Sequence, residues 1–234
     1  MTDYGYVRKN YGQLLEKINA LADKHGRTVT LVAVTKSGSD EELLALAEAG
    51  VTDVGENRPG ELKRRGELLA EHGFTPALHE IGSLQRNKVK YIIDKVKLIH
   101  SLDSERLAEE IDRQAKRVGR KIPVLIEINS AREENKGGVL PELAEDFFLK
   151  VREYENLTVC GVMTMGPPLD DPEGMRPYFR LTKEIFDKIH STYGFAGEPV
   201  LSMGMSDSYA VAIEEGATLV RVGRRLFDKR KGEG

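Results

Sequence analysis

The chain has 234 residues, 40% hydrophobic and 31% charged, with a formal net charge of −3; this suits one globular domain burying roughly 70–75% of its surface on folding, without an overall pull toward nucleic acid. Its single cysteine, Cys160, excludes an internal disulfide or a cysteine-built metal cluster. No stretch approaches the ~18 apolar residues of a membrane span, and the start, Met1-Thr-Asp-Tyr-Gly-Tyr, lacks an apolar signal core, so a cytoplasmic protein away from membranes is expected.

A leading helical segment (residues 5–25) precedes the first of eight short apolar runs. Val29–Thr35, Thr52–Gly55, Ala77–Ile81, Val96–His100, Pro123–Ile128, Val159–Met163, Pro199–Ser202 and Thr218–Val222 read as buried parallel strands. Seven segments with helical spacing lie between them. Ser39-Asp-Glu-Glu42 has the form of a capping box, and Gly50 sits where that helix should stop. In Asp103–Val118, residues Leu107, Ile111, Ala115 and Val118 fall on one helical face. The basic run Arg113–Lys121 reads as a helix end whose cations complement the dipole, and the basic tail Asp228–Lys231 as a solvated surface.

Strand–helix alternation implies parallel pairing in an α/β fold. Eight units in this length match a single-domain (β/α)8 TIM barrel spanning 1–234. An open doubly wound sheet is the alternative, weakened by the lack of a glycine-rich dinucleotide turn after the first strand. The turn-rich segment Gly166–Gly174 follows the sixth strand and reads as a mobile loop over a site or as a surface excursion.

In such a barrel the site lies at the C-terminal ends of the strands. Those positions hold Lys36, Glu56-Asn57, Gly82-Ser83, Ser101, Asn129, Thr164-Met165, Ser202-Met203-Gly204 and Arg221-Val-Gly223. Lys36 shares strand parity with Val32 and Val34, so its amine is expected to be partly desolvated and nucleophilic toward an aldehyde; the alternative is a lysine snorkelling to solvent. Gly223, between a strand and an expected helix start, suits a backbone anion site. Ser202-Met-Gly-Met-Ser206 does the same after the seventh strand, with Ser206 or Asp207 capping the helix over Ser208–Glu215. Loops after strands seven and eight are the recurrent phosphate site of these barrels.

The five histidines, His25, His72, His79, His100 and His190, lack ligand spacing, so no metal site is expected. Neither a Walker loop nor a nucleophile elbow is present. Asp53, Glu56 and Glu127 read as internal ion-pair partners or as general acids and bases. Cys160, in the apolar run Leu157–Met163, reads as a buried, inert thiol.

Several motifs occur together and in order from residue 5 to 228: Val34-Thr-Lys36, Gly55-Glu-Asn57, His79-Glu-Ile-Gly-Ser-Leu-Gln-Arg-Asn-Lys88, Gly161-Val-Met-Thr-Met165, Leu201-Ser-Met-Gly-Met-Ser-Asp207 and Val220-Arg-Val-Gly223. The series resembles the YggS/PROSC family of pyridoxal phosphate homeostasis proteins, related to the barrel domain of alanine racemase. The resemblance implies a fold-type III barrel holding pyridoxal 5′-phosphate (PLP) as a Schiff base on Lys36. It further implies that Ser202, Gly204, Ser206 and Gly223 take the phosphate, that Asn57 and Met203 lie beside the cofactor, and that Arg221 faces the pyridine nitrogen. Two features depart from the family pattern: Glu80 stands where an aromatic or apolar residue is common, and a second glycine follows Asn135-Lys-Gly137.

An arginine at the ring nitrogen keeps it unprotonated, because like charges repel in a dry site; the ring is then a weaker electron sink. The implied role is a carrier or buffer of PLP, with PLP-dependent apoenzymes as recipients and effects on amino-acid and keto-acid balance. A monomer or weak dimer is expected. A PLP-dependent amino-acid racemase is the alternative, set back because only one base, Lys36, can be named where two are needed and because no residues remain for the extra domain of such racemases. A third reading is an aldolase-like barrel in which Lys36 takes a substrate carbonyl.

Overall fold

The computed structural model describes residues 4–229; Arg230 and Lys231 of the basic tail, like residues 1–3, lie outside the described residues. Eight parallel strands form a closed barrel in chain order: β1 (Thr30–Val34), β2 (Asp53–Glu56), β3 (Ala77–Glu80), β4 (Leu98–Leu102), β5 (Ile122–Glu127), β6 (Leu157–Met163), β7 (Val200–Ser202) and β8 (Leu219–Val222). The last strand returns to the first, with Val222 opposite Ala33. Among the described residues the α-helices are α1 (Gly5–Lys24), α2 (Asp40–Glu48), α3 (Pro59–Glu71), α4 (Glu105–Arg117), α5 (Ala144–Val151), α6 (Arg176–Tyr193) and α7 (Tyr209–Glu214). The architecture is the expected (β/α)8 barrel. No helix among the described residues is long and apolar enough to cross a membrane.

Strand residues alternate between two apolar regions, as a period of two requires. Leu31, Ala33, Val54, Leu78, Ile99, Val124, Val162, Leu201 and Val220 point outward into the large core beneath the helices. Val32, Leu98, Leu125, Cys160, Met163 and Leu219 form a separate cluster that plugs the barrel interior. The interior is tight: a Cβ at Gly55 would sit 2.7 Å from Val32 Cγ1. Cys160 is a buried member of this plug, and burial pushes its thiol up to about 11.

The capping box on α2 is complete, with Glu42 N donating to Ser39 Oγ and Ser39 N donating to Glu42 Oε2. Four local expectations are corrected. Val118 is 42% exposed, because α4 ends at Arg117 and Val118 is its cap residue. The segment between β3 and β4 holds a 3₁₀ turn, Arg86–Tyr91, in place of an α-helix; its steeper rise covers more distance with few residues. Neither Ser206 nor Asp207 caps α7; Asp207 pairs instead with Arg224, and Ser208 Oγ accepts from Met205 N at 3.2 Å. No α-helix starts at Gly223 among the described residues; Leu226 N closes a turn onto Gly223 O at 2.8 Å.

Candidate functional site

A cavity of about 590 Å³ opens at the C-terminal ends of the strands. Lys36, Asn57, Ser206, Arg221 and Gly223 all line it, with Gly82, Ser83, Glu127, Asn129, Met165 and Arg224. Closure of the barrel is what gathers them, since β8 lies beside β1 and places Gly223 next to the exit of the strand leading to Lys36. Ser202, Met203 and Gly204 do not line the cavity. Ser202 and Met203 are fully buried, and Met203 packs in the outer core. Glu56, Ser101 and Thr164 are likewise buried away from it.

Lys36 departs from expectation in one respect. The strand stops at Val34, a turn closes with Gly38 N on Thr35 O at 2.9 Å, and Lys36 is exposed on the cavity rim. The turn is held from behind. Arg65 of α3 donates from Nη1 to Thr35 O at 2.6 Å and from Nη2 to Gly38 O at 2.8 Å. Its Nε lies 3.3 Å from Glu56 Oε1, which also accepts from Thr35 Oγ1 at 2.5 Å. Burial raises the Glu56 carboxyl, against the hydrogen bond from Thr35 and the charge of Arg65. Next to it, burial pushes the Glu80 carboxyl up to about 8, with the Glu56 charge adding and the Gly82 N–H opposing. The places of Arg65 and Glu80 behind the turn cannot be read from sequence, because β1, β2, β3 and α3 come together only in the folded barrel.

The loops after β7 and β8 form the end of the cavity suited to an anion. Gly223 N donates to Ser206 Oγ at 3.4 Å, and Arg225 Nε donates to Ser206 O at 2.5 Å, fixing one loop to the other. Among the described residues, the backbone N–H groups of Ser206 and Arg224 have no protein acceptor. A Cβ at Gly223 would meet Val34 O at 2.8 Å, so only glycine lets β8 leave the barrel this close to β1. Unpaired N–H groups beside a glycine make a concavity for a phosphate-like group without a helix terminus.

Arg221 forms part of the wall. Its guanidinium is buried, donates from Nη1 to Ser202 Oγ at 2.5 Å and from Nη2 to Thr164 O at 2.9 Å, and is pushed down to about 10 by burial, against the attraction of Glu127. Glu127 ends β5, opposite β1 in the closed order. Burial, then the charge of Asp103, raises its carboxyl to about 7, with Arg221 opposing. Among the described residues no hydrogen bond reaches the Glu127 carboxyl, while its backbone carbonyl accepts from Val139 N at 2.7 Å. Of the carboxylates singled out in the sequence, Asp53 and Glu56 are engaged in internal pairs, and Glu127 faces the cavity. Among the described residues no cluster of His, Cys, Asp and Glu is placed to hold a metal ion.

Comparison with known proteins places this geometry among relatives. Residues 10–230 match the family described as alanine racemase, N-terminal domain. A protein of Aquifex aeolicus named pyridoxal phosphate homeostasis protein is 42% identical over 222 residues, covering 94% of this chain and 96% of that one. The structure of PipY of Synechococcus elongatus, solved with PLP bound, superimposes with a TM-score of 0.82 at 25% identity, over 95% of this chain and all of that one. An alanine racemase of Clostridium difficile shares the fold, with a TM-score of 0.72 at 19% identity; the match covers 95% of this chain and 55% of the racemase.

Proposed function

The chain belongs to the alanine racemase N-terminal domain family and to its pyridoxal phosphate homeostasis proteins, and from that premise we propose that it binds PLP reversibly on Lys36 and stores or delivers the cofactor inside the cell. The observation that carries the reading is that the Lys36 amine and the anion-binding end at Ser206, Gly223 and Arg224 share one cavity. Bound PLP supplies an aldehyde, which a lysine amine takes up reversibly as a Schiff base. The residues present fit that group: unpaired N–H groups at Ser206 and Arg224 and the glycine at 223 suit its phosphate, and Asn57 and Ile81 line the wall next to Lys36.

Each of this chain's groups then has a task. Lys36, exposed on the rim, is reachable from solvent, which suits loading and release. Ser206 and Gly223 orient the ligand by its anionic end. Arg221 presents a cation to the ring nitrogen and so disfavours its protonation. Ser202, Met203 and Gly204, which lie behind the wall, act on the ligand through Arg221 and the loop backbone. The recipients in this reading are PLP-dependent apoenzymes of the cytoplasm, supplied by a monomer or weak dimer.

The racemase alternative gains one feature. Glu127, on the strand opposite Lys36, is a second proton-exchanging group in the cavity. One experiment separates the readings. The purified protein is titrated with PLP and its visible absorbance recorded, then the titration is repeated with Lys36→Ala and with amino acids added. A yellow wild type and a colourless variant support the proposal; a wild type that stays colourless overturns it; robust racemisation moves the assignment to an enzyme.

A further inference from the structure

Below the cavity wall, five side chains from β2, β3, β4, β7 and β8 form one hydrogen-bonded line. Arg221 Nη1 donates to Ser202 Oγ at 2.5 Å. Ser202 Oγ lies 3.0 Å from His100 Nδ1, His100 Nε2 lies 3.0 Å from His79 Nδ1, and His79 Nε2 lies 2.9 Å from Asp53 Oδ1. The line leaves the cavity at Arg221 and ends on the residue that opens β2, two strands from β8 in the closed order.

Donor counting gives the line a direction. A guanidinium only donates and a carboxylate only accepts. If His79 carried its proton on Nδ1, its Nε2 lone pair would face the Asp53 carboxylate, two acceptors at hydrogen-bond distance. Of the two neutral tautomers of His79, only the one with its proton on Nε2 fits, and it accepts at Nδ1. That acceptor fixes the His100 proton on Nε2, which leaves His100 Nδ1 to accept the Ser202 hydroxyl. Every bond is satisfied with both imidazoles neutral and every donor pointing from Arg221 toward Asp53.

The surroundings agree. Burial first, then the proximity of His79 and of the Arg221 cation, holds His100 well below the usual histidine range, so it stays neutral. Burial acts to raise the Asp53 carboxyl, but hydrogen bonds from His79 and Thr52, with the proximity of His79 and the charge of Lys97, outweigh it. Other groups bordering the line include Glu127, which attracts Arg221, Thr164, whose carbonyl accepts from Arg221 Nη2, and Tyr11, which lies near Asp53.

We infer that His79 and His100 are positioning residues: through Ser202 they hold Arg221 in one orientation on the cavity wall and tie its buried charge to the Asp53 carboxylate. A polarised line of this kind strengthens each of its bonds and compensates a guanidinium that burial desolvates. For its consequence the inference rests on the function proposed above, in which Arg221 sets the field at the cofactor ring. It also explains why Ser202 and both histidines matter to the cavity without lining it.

The test has one readout that needs no cofactor. Long-range ¹H–¹⁵N NMR of the full chain, labelled at histidine and assigned with His79→Gln and His100→Gln, reads the tautomers near neutral pH. Two neutral Nε2–H imidazoles are expected; an Nδ1–H form of either, or an imidazolium at either, overturns the relay. The second readout is PLP titration of Ser202→Ala, His100→Leu and the double variant. Each single change should weaken binding about tenfold and displace the absorbance band of the bound cofactor, and the double should be no worse than the weaker single because both cut one line. Additive losses, or an unmoved band, count against the proposal. A wild type that takes up no PLP sinks the functional reading alone, since the tautomers still decide the relay; they also decide it if a variant does not fold.

Discussion

Arg65 Nη1 lies 2.6 Å from the carbonyl oxygen of Thr35, so a helix residue far along the chain fixes the peptide immediately before Lys36. The second arm of the same guanidinium holds Gly38 O, and its Nε faces Glu56. Lys36 is thus carried on a turn braced from the outer face of the barrel, while its own side chain is exposed at the rim.

Removing the brace tests this directly. Arg65→Ala leaves the buried Glu56 carboxylate without its cation and Gly38 O without a donor, which should cost about 3–5 kcal/mol of stability. Arg65→Lys should recover only part, because an ammonium cannot reproduce the fork. Urea denaturation measures both; a loss near zero in the alanine variant would show that the turn needs no brace.

Glu80 gives a pH signature. Its carboxyl is raised in the folded chain to about 8 from a usual 4.5, so between those values the folded state binds the extra proton. Stability attributable to this group is present below pH 4.5 and is lost as pH rises toward 8. Glu80→Gln keeps an oxygen for Gly82 N–H and cannot ionise. The variant should match wild type near pH 5 and exceed it by a few kcal/mol near pH 8, on the order expected for a shift of this size. Parallel denaturation curves across that range would contradict the assignment.

Glu127 should act on binding. With its carboxyl raised to about 7, it turns negative across neutrality inside a cavity proposed to take an anionic ligand. PLP affinity of the wild type should fall from pH 6 to 8 more steeply than that of Glu127→Gln, by a factor of about five, as for a partly screened like charge. Identical pH profiles for the two proteins would remove Glu127 from the site.

Gly223→Ala addresses the anion end. The added methyl meets Val34 O at 2.8 Å and Val34 Cβ at 3.1 Å, so β8 must shift and carry the Gly223 N–H away from Ser206. A cost of about 1–3 kcal/mol is expected from the overpacking, together with at least a tenfold loss of PLP affinity. Calorimetric titration checks the affinity; retained binding would place the phosphate elsewhere.

The sequence by itself determined the barrel, because the two periodicities that build it are local. Runs such as Val29–Thr35 and Thr218–Val222 lie within a residue of the observed strands Thr30–Val34 and Leu219–Val222, and the Ser39–Glu42 capping box could be read directly. Lys36, Asn57, Ser206, Arg221 and Gly223 were legible as site candidates because each follows a strand, and in a closed parallel barrel all strand ends meet at one mouth. What the tertiary structure alone decided depends on contacts between strands distant in sequence. It took Ser202, Met203 and Gly204 off the cavity wall, exposed Lys36 beyond the end of β1, and formed a turn where a helix was expected after Gly223. It also lined up Asp53, His79, His100, Ser202 and Arg221, whose spacing along the chain carries no motif. Hydrogen bonds inside a barrel join residues by height and facing, and neither is set until the strands have closed in register.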